Sequence, residues 1–139
     1  MTFPFPIRLR PALIMKIENL IPAGFPVPHT DSSHSRIDLN DKLLLNPNAS
    51  YLFRVRGNSM TGAGIFDGDT VIVDRSIEPR HGYIVLAVVD REYTVKRLFK
   101  RGRVIRLLPE NPDYAPIELA EGSELEVWGV VTFNLRKLL

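Results

Sequence analysis

The sequence predicts a mostly β protein folded as one compact domain. Three observations predict this class: strand-like runs rich in valine, isoleucine and aromatic residues, turn signals between them, and no long amphipathic helical pattern. The runs fall near residues 50–56, 70–74, 82–89, 92–99, 103–108 and 126–134. The turns contain Asp67–Asp69, Glu78–Gly82, Asp90–Arg91, Arg101–Gly102 and Asn111–Pro112. Many short strands of this kind favour a largely antiparallel sheet.

Length and composition are those of an ordinary globular chain with its own core. The chain has 139 residues, of which 45% are hydrophobic and 24% charged, and such a length suits one domain. It contains no cysteine, which excludes disulfides and thiolate metal sites. The net charge of +2 is too small to indicate nucleic-acid binding by itself. No apolar run approaches the ~20 residues that a membrane-spanning helix needs.

The first 20 residues form an arm with prolines at positions 4, 6 and 11, which predict no regular element there. Its apolar run from Pro11 to Met15 is broken by Lys16 and is too short for a signal peptide. Two interpretations remain open for the arm. It is either a disordered tail or a segment that packs reversibly on its own domain or on a dimer partner.

A proline-rich segment, Ile21–Pro28, follows the arm. Three prolines within seven residues favour an extended backbone. The small residues Ala23 and Gly24 lie in the middle, where an extended chain exposes their peptide bond. The segment is therefore either a linker or a peptide suited to attack by a protease.

Residues 29–36 are polar and are typical of a linker. After them, Asp38 or Asn40 is expected to cap a short helix through Leu45, which Asn46–Pro47 would end. From Ala49 onward the chain shows the strand pattern described above, and Val89–Glu92 predicts a hairpin turn.

The strand-like run at 50–56 leads into Gly57–Asn58–Ser59–Met60 and then a glycine-rich turn. A serine on such a bend can expose its hydroxyl, but it needs a base to become a nucleophile. The candidate bases are His29, His34, His81 and, in a Ser-Lys arrangement, Lys96, which follows Ser59 by 37 residues. Spacing alone also permits a turn serine and a solvated strand lysine without catalytic roles.

Several motifs occur in order along the chain: Arg36–Asn40, Gly57–Met60, Phe66–Asp69, Val71–Asp74, His81–Val85, Tyr93–Leu98, Asn111–Ile117 and Trp128–Val131. Their order and spacing resemble the S24 peptidase family, which contains the LexA repressors, phage repressors of the same type and the UmuD/MucA mutagenesis proteins. The likeness is strongest to the UmuD/MucA type and covers about residues 21–133. It implies the irregular, strongly bent β fold of that family, here called LexA/UmuD-like.

The resemblance implies a serine endopeptidase that cuts its own chain. Ser59 would be the nucleophile, Lys96 the base, and the backbone N–H groups of Asn58 and Ser59 the oxyanion hole. The cut would fall between Ala23 and Gly24, where UmuD-type proteins have Cys-Gly and LexA repressors have Ala-Gly. This divides the chain into an arm over 1–23, a linker with a short helix over 24–48 and a peptidase domain over 49–139.

Lys96 can act as a base only when it is neutral. Lysine ordinarily titrates near pH ~10.4, so its pKa must fall by ~3 units, which burial of the ammonium supplies. The neighbours of Lys96 on its own strand face are Thr94 and Leu98, which predict a partly apolar wall. Met60 is expected to pack beneath the site.

The resemblance also implies a role and partners. The protein would be a cytoplasmic member of the SOS response to DNA damage whose self-cleavage is promoted by the RecA filament on single-stranded DNA. The processed chain would form a homodimer and assist a Y-family, UmuC-type translesion polymerase, without cofactors, membrane attachment or sequence-specific DNA binding. A direct repressor role is not expected, because the 23 residues before the cut are too few for a DNA-binding domain.

Two alternatives belong to other classes. One is a non-catalytic module of the same fold that binds the polymerase or RecA; intact Ser59 and Lys96 favour the peptidase. The other, a signal peptidase with Ser-Lys chemistry, is disfavoured because the sequence has no membrane anchor.

Charged clusters elsewhere have simpler interpretations. Residues 91–106 contain seven basic side chains and a single acid, Glu92, and we favour a solvated or protein-docking face over a nucleic-acid patch. Asp67, Asp69 and Asp74 are expected to serve turns and strand ends rather than a metal, and His29 and His34 to be solvated.

Overall fold

The computed structural model describes residues 5–6, 13–17, 34–119 and 124–139. Within these residues the chain is mostly β, as predicted. The strands β1 to β10 span Phe5–Pro6, Leu13–Ile17, His34–Asp38, Ser50–Arg54, Thr70–Asp74, Ile84–Val89, Glu92–Arg101, Val104–Leu108, Ile117–Glu118 and Leu125–Leu135. The helix α1 spans Leu39–Leu43, and two short 3₁₀ turns span Pro47–Ala49 and Thr61–Ala63.

Eight of these strands form one antiparallel sheet, in the order β1-β4-β5-β10-β6-β7-β8-β9. The long strand β10 pairs with β6 through its first half and with β5 through its second half. Its register shifts between Val127 and Gly129 and again between Val131 and Phe133. Such irregularities bend a strand and increase its twist, so β10 supplies the bent shape expected of the sheet.

The strand boundaries follow the sequence pattern closely in the second half of the chain. The run at 70–74 is β5 without change, and the other predicted runs differ from their strands by one to two residues at an end. The predicted hairpin is confirmed, since β6 pairs Val89 with Glu92 of β7. The two residues between them, Asp90 and Arg91, have φ angles of 47° and 69°, as a two-residue type I′ hairpin turn requires.

The prediction of no regular element before residue 20 was wrong. Backbone pairing places Phe5–Pro6 against Leu52 and Tyr51 of β4, at the edge of the sheet. A proline is tolerated on an edge strand because its missing N–H need not serve a second neighbour. Farther along, Leu13–Ile17 pairs with His34–Asp38 in a separate two-stranded sheet, so the expected linker over 29–36 becomes a strand from His34 onward. The predicted cleavage bond, Ala23–Gly24, lies outside the described residues.

The short helix is present but shorter than expected. Asp38 is its N-cap, and the carboxylate accepts the backbone N–H of Asn40 at 2.9 Å. Of the two proposed caps, Asp38 is therefore the correct one, and Asn40 lies inside the helix. The helix ends at Leu43 rather than Leu45, and Pro47 begins the 3₁₀ turn that follows.

The described residues contain two clusters of buried hydrophobic side chains. The first contains Phe53, Met60, Ile65, Val71, Val73, Leu86 and Val95. The second contains Val85, Ala87, Leu98, Leu107 and Val130. Met60 is only 3% exposed, so the residue directly after Ser59 is anchored in the first cluster. That anchor fixes one side of the turn in which Ser59 lies.

Candidate active site

The turn that contains Ser59 is held firmly where it leaves strand β4. Val55 donates its N–H to the Asp69 carbonyl and accepts the N–H of Gly68, both at 2.8 Å. The N–H of Gly57 donates to Oδ1 of Asp67 at 2.7 Å. Gly57 has a φ of 90°, a conformation that glycine adopts without steric cost. The chain therefore turns sharply two residues before Ser59.

A second segment, Glu110–Asn111, holds the same turn from its other side. The N–H of Glu110 donates to the Ser59 carbonyl at 2.8 Å, and the N–H of Gly62 donates to the Glu110 carbonyl at 2.7 Å. The side-chain amide of Asn111 donates to the Asn58 carbonyl at 2.8 Å. Gly62 is required by this close approach, because a Cβ there would lie 2.6 Å from the Glu110 carbonyl oxygen.

Lys96 reaches this turn from strand β7. Its Nζ lies 2.9 Å from Oγ of Ser59, so the structure brings together the two predicted catalytic side chains. Nζ is also 2.7 Å from Oγ1 of Thr94 and 3.1 Å from the Val95 carbonyl oxygen. Lys96 is 9% exposed. The side chain is thus buried, with three oxygen atoms around its amine.

None of these three oxygens carries a formal charge. Among the described residues Lys96 makes no ion pair, and burial lowers the pKa of its ammonium below the ordinary value. A neutral amine has two hydrogens and one lone pair. It can donate to Val95 and Thr94 and accept the Ser59 hydroxyl proton, so the neutral form satisfies the site completely.

Of the alternative bases, His81 has a described side chain, and its contacts lie away from Ser59. Nδ1 of His81 accepts the backbone N–H of Lys100 at 3.1 Å, and its ring packs edge-on against Phe99 at 5.1 Å. His34 belongs to β3, and His29 lies outside the described residues. Lys96 is therefore the base candidate that the described structure brings into contact with Ser59.

The predicted oxyanion donors are free to serve a ligand. Within the described residues, the backbone N–H groups of Asn58 and Ser59 donate to no acceptor. Ser59 and Lys96 both line a cleft of about 210 Å³, and Asn58 is the neighbour of Ser59 in the chain. The other walls of the cleft include Phe53, Val55, Gly57, Met60, Tyr93 and Val95. The cleft offers a partly apolar surface beside the Ser59 hydroxyl and the Lys96 amine.

The predicted turn acids serve the structure. Asp67 holds Gly57, as described above, and Asp74 accepts the backbone N–H of Ser76 at 2.7 Å and its hydroxyl at 2.6 Å. Asp69 is 3% exposed and accepts bonds from Arg136, Asn134 and Phe66. In the part of the chain that the structure describes, no three His, Asp or Glu side chains gather as a metal site would require.

The basic run at 91–106 is divided by the fold. Arg97 forms an ion pair with Glu110, and Arg106 lies 3.5 Å from Glu118. The guanidinium groups of Arg101 and Arg106 each lie 5.7 Å from the Phe99 ring centre. Whether this face serves solvent or a protein partner stays a prediction. None of the described helices is long and apolar enough to cross a membrane.

Sequence reasoning missed Glu110 and Asn111 as parts of the site. Asn111 belongs to a motif that carries the resemblance, but it follows Ser59 by 52 positions and has no chemistry that marks it as catalytic. The available signal was the combination of an Asn-Pro turn with a glycine-rich turn, which is too common to assign a contact.

Comparison with known proteins gives matches along most of the chain. The family model described as Peptidase S24-like matches residues 15–132. Protein MucA of Salmonella typhimurium is 41% identical over 116 residues, which cover 83% of this chain and 79% of that protein. Protein ImpA of the same species is 39% identical, over 83% of this chain and 78% of that protein. The LexA repressor of Azoarcus sp. strain BH72 is 41% identical over 94% of this chain, which spans only 64% of that repressor's length.

Proposed function

This chain belongs to the Peptidase S24-like family, and on that premise we propose that it is a serine endopeptidase that cuts its own chain between Ala23 and Gly24. Ser59 is the nucleophile and Lys96 the general base. The observation that carries this proposal is the 2.9 Å contact between Oγ of Ser59 and a lysine amine that is buried and has no anionic partner among the described residues. A solvated strand lysine would have neither property.

The chemistry needs only groups of the chain and one water molecule. Neutral Lys96 takes the Ser59 proton while Oγ attacks the carbonyl carbon of Ala23. The N–H groups of Asn58 and Ser59 bind the oxyanion that forms. The Lys96 ammonium then gives its proton to the departing nitrogen of Gly24 and leaves Ala23 esterified to Ser59. Lys96 deprotonates a water, which hydrolyses the ester, and the proton returns to Oγ.

The proposed substrate is the chain's own segment around residue 23. Its prolines keep the peptide extended, and the apolar cleft beside Ser59 has room for small side chains. A tethered substrate has a high effective concentration whenever it docks. The rate is therefore set by how often the segment docks while Lys96 is neutral, and a partner that favours docking would act as the trigger.

We further propose that the reaction belongs to the SOS response to DNA damage. The support is the resemblance to UmuD/MucA proteins together with matches to MucA, SamA and ImpA at about 40% identity. In this proposal a RecA filament on single-stranded DNA promotes the cut in the cytoplasm. The processed chain, beginning at Gly24, pairs as a homodimer and serves a Y-family, UmuC-type polymerase in translesion synthesis.

The test is incubation of the purified chain at alkaline pH, and at neutral pH with RecA filaments on single-stranded DNA. Mass spectrometry should find a fragment that begins Gly24–Phe25–Pro26, and RecA should accelerate its appearance. Ser59→Ala should stay intact with an unchanged circular dichroism spectrum, because a turn serine contributes little to packing. A different new N-terminus would contradict the cleavage site. An intact wild-type chain under both conditions would instead favour a non-catalytic module that binds the polymerase or RecA.

A further inference from the structure

The peptide unit between Asn58 and Ser59 is held at one end by a residue with no assigned role. Its carbonyl oxygen accepts a hydrogen bond from Nδ2 of Asn111 at 2.8 Å. A peptide unit is planar, and the described chain contains no cis peptide bond. The N–H of Ser59 belongs to the same unit, so it points away from Asn111.

We propose that Asn111 is a positioning residue for the oxyanion hole, which aims the Ser59 N–H by holding the carbonyl at the other end of its peptide plane. This inference rests on the function proposed above, in which that N–H binds the oxyanion. Asn111 touches neither the substrate nor Lys96 in this scheme. It acts through the orientation of one peptide group.

Two physical effects follow from this contact. The first is orientational: a rigid plane anchored at its carbonyl cannot rotate its N–H away from the developing charge without breaking the bond to Asn111. The second is electronic, because a hydrogen bond accepted by a carbonyl polarises the peptide and strengthens its N–H as a donor. Both effects favour the transition state, in which the oxyanion carries its full charge.

The Asn111 side chain is itself fixed by two different backbone partners. Its Oδ1 accepts the backbone N–H of Asp113 at 2.9 Å, which closes a local turn. Its Nδ2 faces the Asn58 carbonyl and lies 3.4 Å from Oγ1 of Thr61. One partner can only donate and the other can only accept, so the position requires an amide. An aspartate could keep the local turn but could not donate to Asn58.

The segment that carries Asn111 is also tied to the strand that carries the base. Arg97, the residue after Lys96, forms an ion pair with the Glu110 carboxylate and donates to the Gly82 carbonyl at 2.6 Å. Glu110 in turn bonds the Ser59 carbonyl and the Gly62 N–H through its backbone. Residues 110–111 therefore connect the Asn58–Ser59 peptide with strand β7. This connection fixes the positions of Ser59 and Lys96 relative to each other.

The decisive variant is Asn111→Ser. A serine hydroxyl can still close the local turn with Asp113, but it lacks the amide that reaches Asn58. The self-cleavage rate at high pH, where Lys96 is neutral, should fall about 10- to 100-fold, since removing an oxyanion donor outright costs roughly 10²–10³. The midpoint of the rate against pH should not move, because the contact between Ser59 and Lys96 is untouched.

Asn111→Asp provides a second test of the same contact, since it keeps the size and the turn but places a carboxylate oxygen against the Asn58 carbonyl. We expect a loss at least as large as that in Asn111→Ser. Asp113→Asn, an exposed change in the same segment, is the matched control and should cleave at the wild-type rate. Thermal unfolding of each variant in a Ser59→Ala background shows whether the domain remains folded.

The outcomes separate this inference from the proposed function. A wild-type chain that fails to cleave, or a Ser59→Ala chain that cleaves, would overturn the function itself. Suppose instead that the wild-type chain cleaves, that this depends on Ser59, and that Asn111→Ser cleaves at the same rate. That result would overturn only the role of Asn111. A shift of the pH midpoint in Asn111→Ser would also overturn it, since the residue would then act on the dyad rather than on the oxyanion hole.

Discussion

Asp69 and Lys96 are two buried ionisable side chains of the same domain, and their surroundings differ in charge. Asp69 is 3% exposed and Lys96 is 9% exposed. The Asp69 carboxylate meets the guanidinium of Arg136 at 2.6 Å, the amide of Asn134 at 2.8 Å and the N–H of Phe66 at 2.8 Å. Among the residues that the structure describes, the hydrogen-bond partners of the Lys96 amine are three uncharged oxygens. One buried charge is compensated, and the other is not.

The pKa of each group is lowered, but the two shifts have different causes. Hydrogen bonds from Arg136, and then from Asn134 and Phe66, outweigh burial and hold the pKa of Asp69 well below its usual range. Burial alone lowers the pKa of Lys96. For an acid a lowered pKa favours the charged form, whereas for a base it favours the neutral form. The first arrangement stabilises the fold, and the second favours a neutral amine at the expense of stability.

The linkage between protonation and folding gives the sign of each effect. Asp69 contributes stability that is present above the pKa of an unfolded aspartate, about 3.9, and is lost as pH falls through its lower folded-state value. At any pH at which the Lys96 amine is protonated in the unfolded chain, folding must either bury its charge or release its proton. Either cost lowers the free energy of unfolding. Stability attributable to Lys96 therefore rises with pH between its folded-state pKa and the ordinary 10.5.

The largest expected effect comes from removing the uncompensated charge. Lys96→Met should lower the self-cleavage rate by about 10²- to 10⁴-fold, the contribution that a general base typically makes. The same change should raise the free energy of unfolding at neutral pH by about 1 kcal/mol, since an apolar side chain of similar length fills the site without the desolvation penalty. Cleavage followed by mass spectrometry and urea unfolding in a Ser59→Ala background measure the two effects.

Lys96→Met should thus separate activity from stability, which a general loss of structure cannot do. A variant that still cleaves at alkaline pH would exclude Lys96 as the base. A variant that is less stable than the wild type at neutral pH would show that the buried amine stabilises the domain, and the contrast with Asp69 would fail. Asp113→Asn, at an exposed position, is the control for both measurements.

The contrast also shows what the sequence could and could not predict. Runs rich in valine, isoleucine and aromatic residues, together with the turns between them, predict the strands of the domain, because both signals are local in the sequence. Ser59 and Lys96 were predicted as a pair by resemblance to a known family, and the structure places them in contact. Asp69 was interpreted as a turn acid, and nothing indicated Arg136, which lies 67 residues away in sequence. Long-range polar partners such as these have no local pattern.

The beginning of the chain shows a different limit. Prolines at 4, 6 and 11 predict no regular structure, yet Phe5–Pro6 and Leu13–Ile17 pair as strands. Proline forbids an interior strand position, but an edge position needs hydrogen bonds on one side only. The position of a strand within a sheet is a tertiary property, so residue preferences could not decide this case.

We expect an intermediate effect on the cleavage rate when Lys96 is given an oppositely charged partner, as Asp69 has in Arg136. Thr94→Asp places a carboxylate where Oγ1 now lies 2.7 Å from Nζ. A nearby opposite charge favours the protonated amine, so the midpoint of the rate against pH should rise by about 1–3 units. Below that midpoint the rate falls tenfold for each unit, and cleavage at neutral pH should fall accordingly, whereas cleavage at the most alkaline pH should recover.

Two variants control for the loss of the threonine. Thr94→Ser keeps the hydroxyl, and Thr94→Asn has the size of aspartate without its charge. Neither should move the midpoint as far as Thr94→Asp does. If the cleavage rates of Thr94→Asp and Thr94→Asn depend on pH in the same way, protonation of Lys96 does not limit the rate. In that case docking of the cleaved segment would be the step to measure.

The smallest expected effect on activity comes from weakening the compensated charge. Asp69→Asn keeps the shape of the side chain but removes the anion that binds Arg136, so stability at pH 7 should fall by about 2 kcal/mol, as hydrogen bonds to charged groups commonly contribute. The difference from wild type should shrink as the pH falls below about 4, because the Asp69 carboxylate of the unfolded chain then becomes protonated while that of the folded chain stays ionised, and folding must displace that proton. Urea unfolding from pH 2 to 7 in a Ser59→Ala background measures this convergence.

The pH midpoint of self-cleavage in Asp69→Asn should equal that of the wild type, since Asp69 has no hydrogen bond to Lys96. Curves that remain parallel down to pH 2 would show that shape rather than charge gives Asp69 its role.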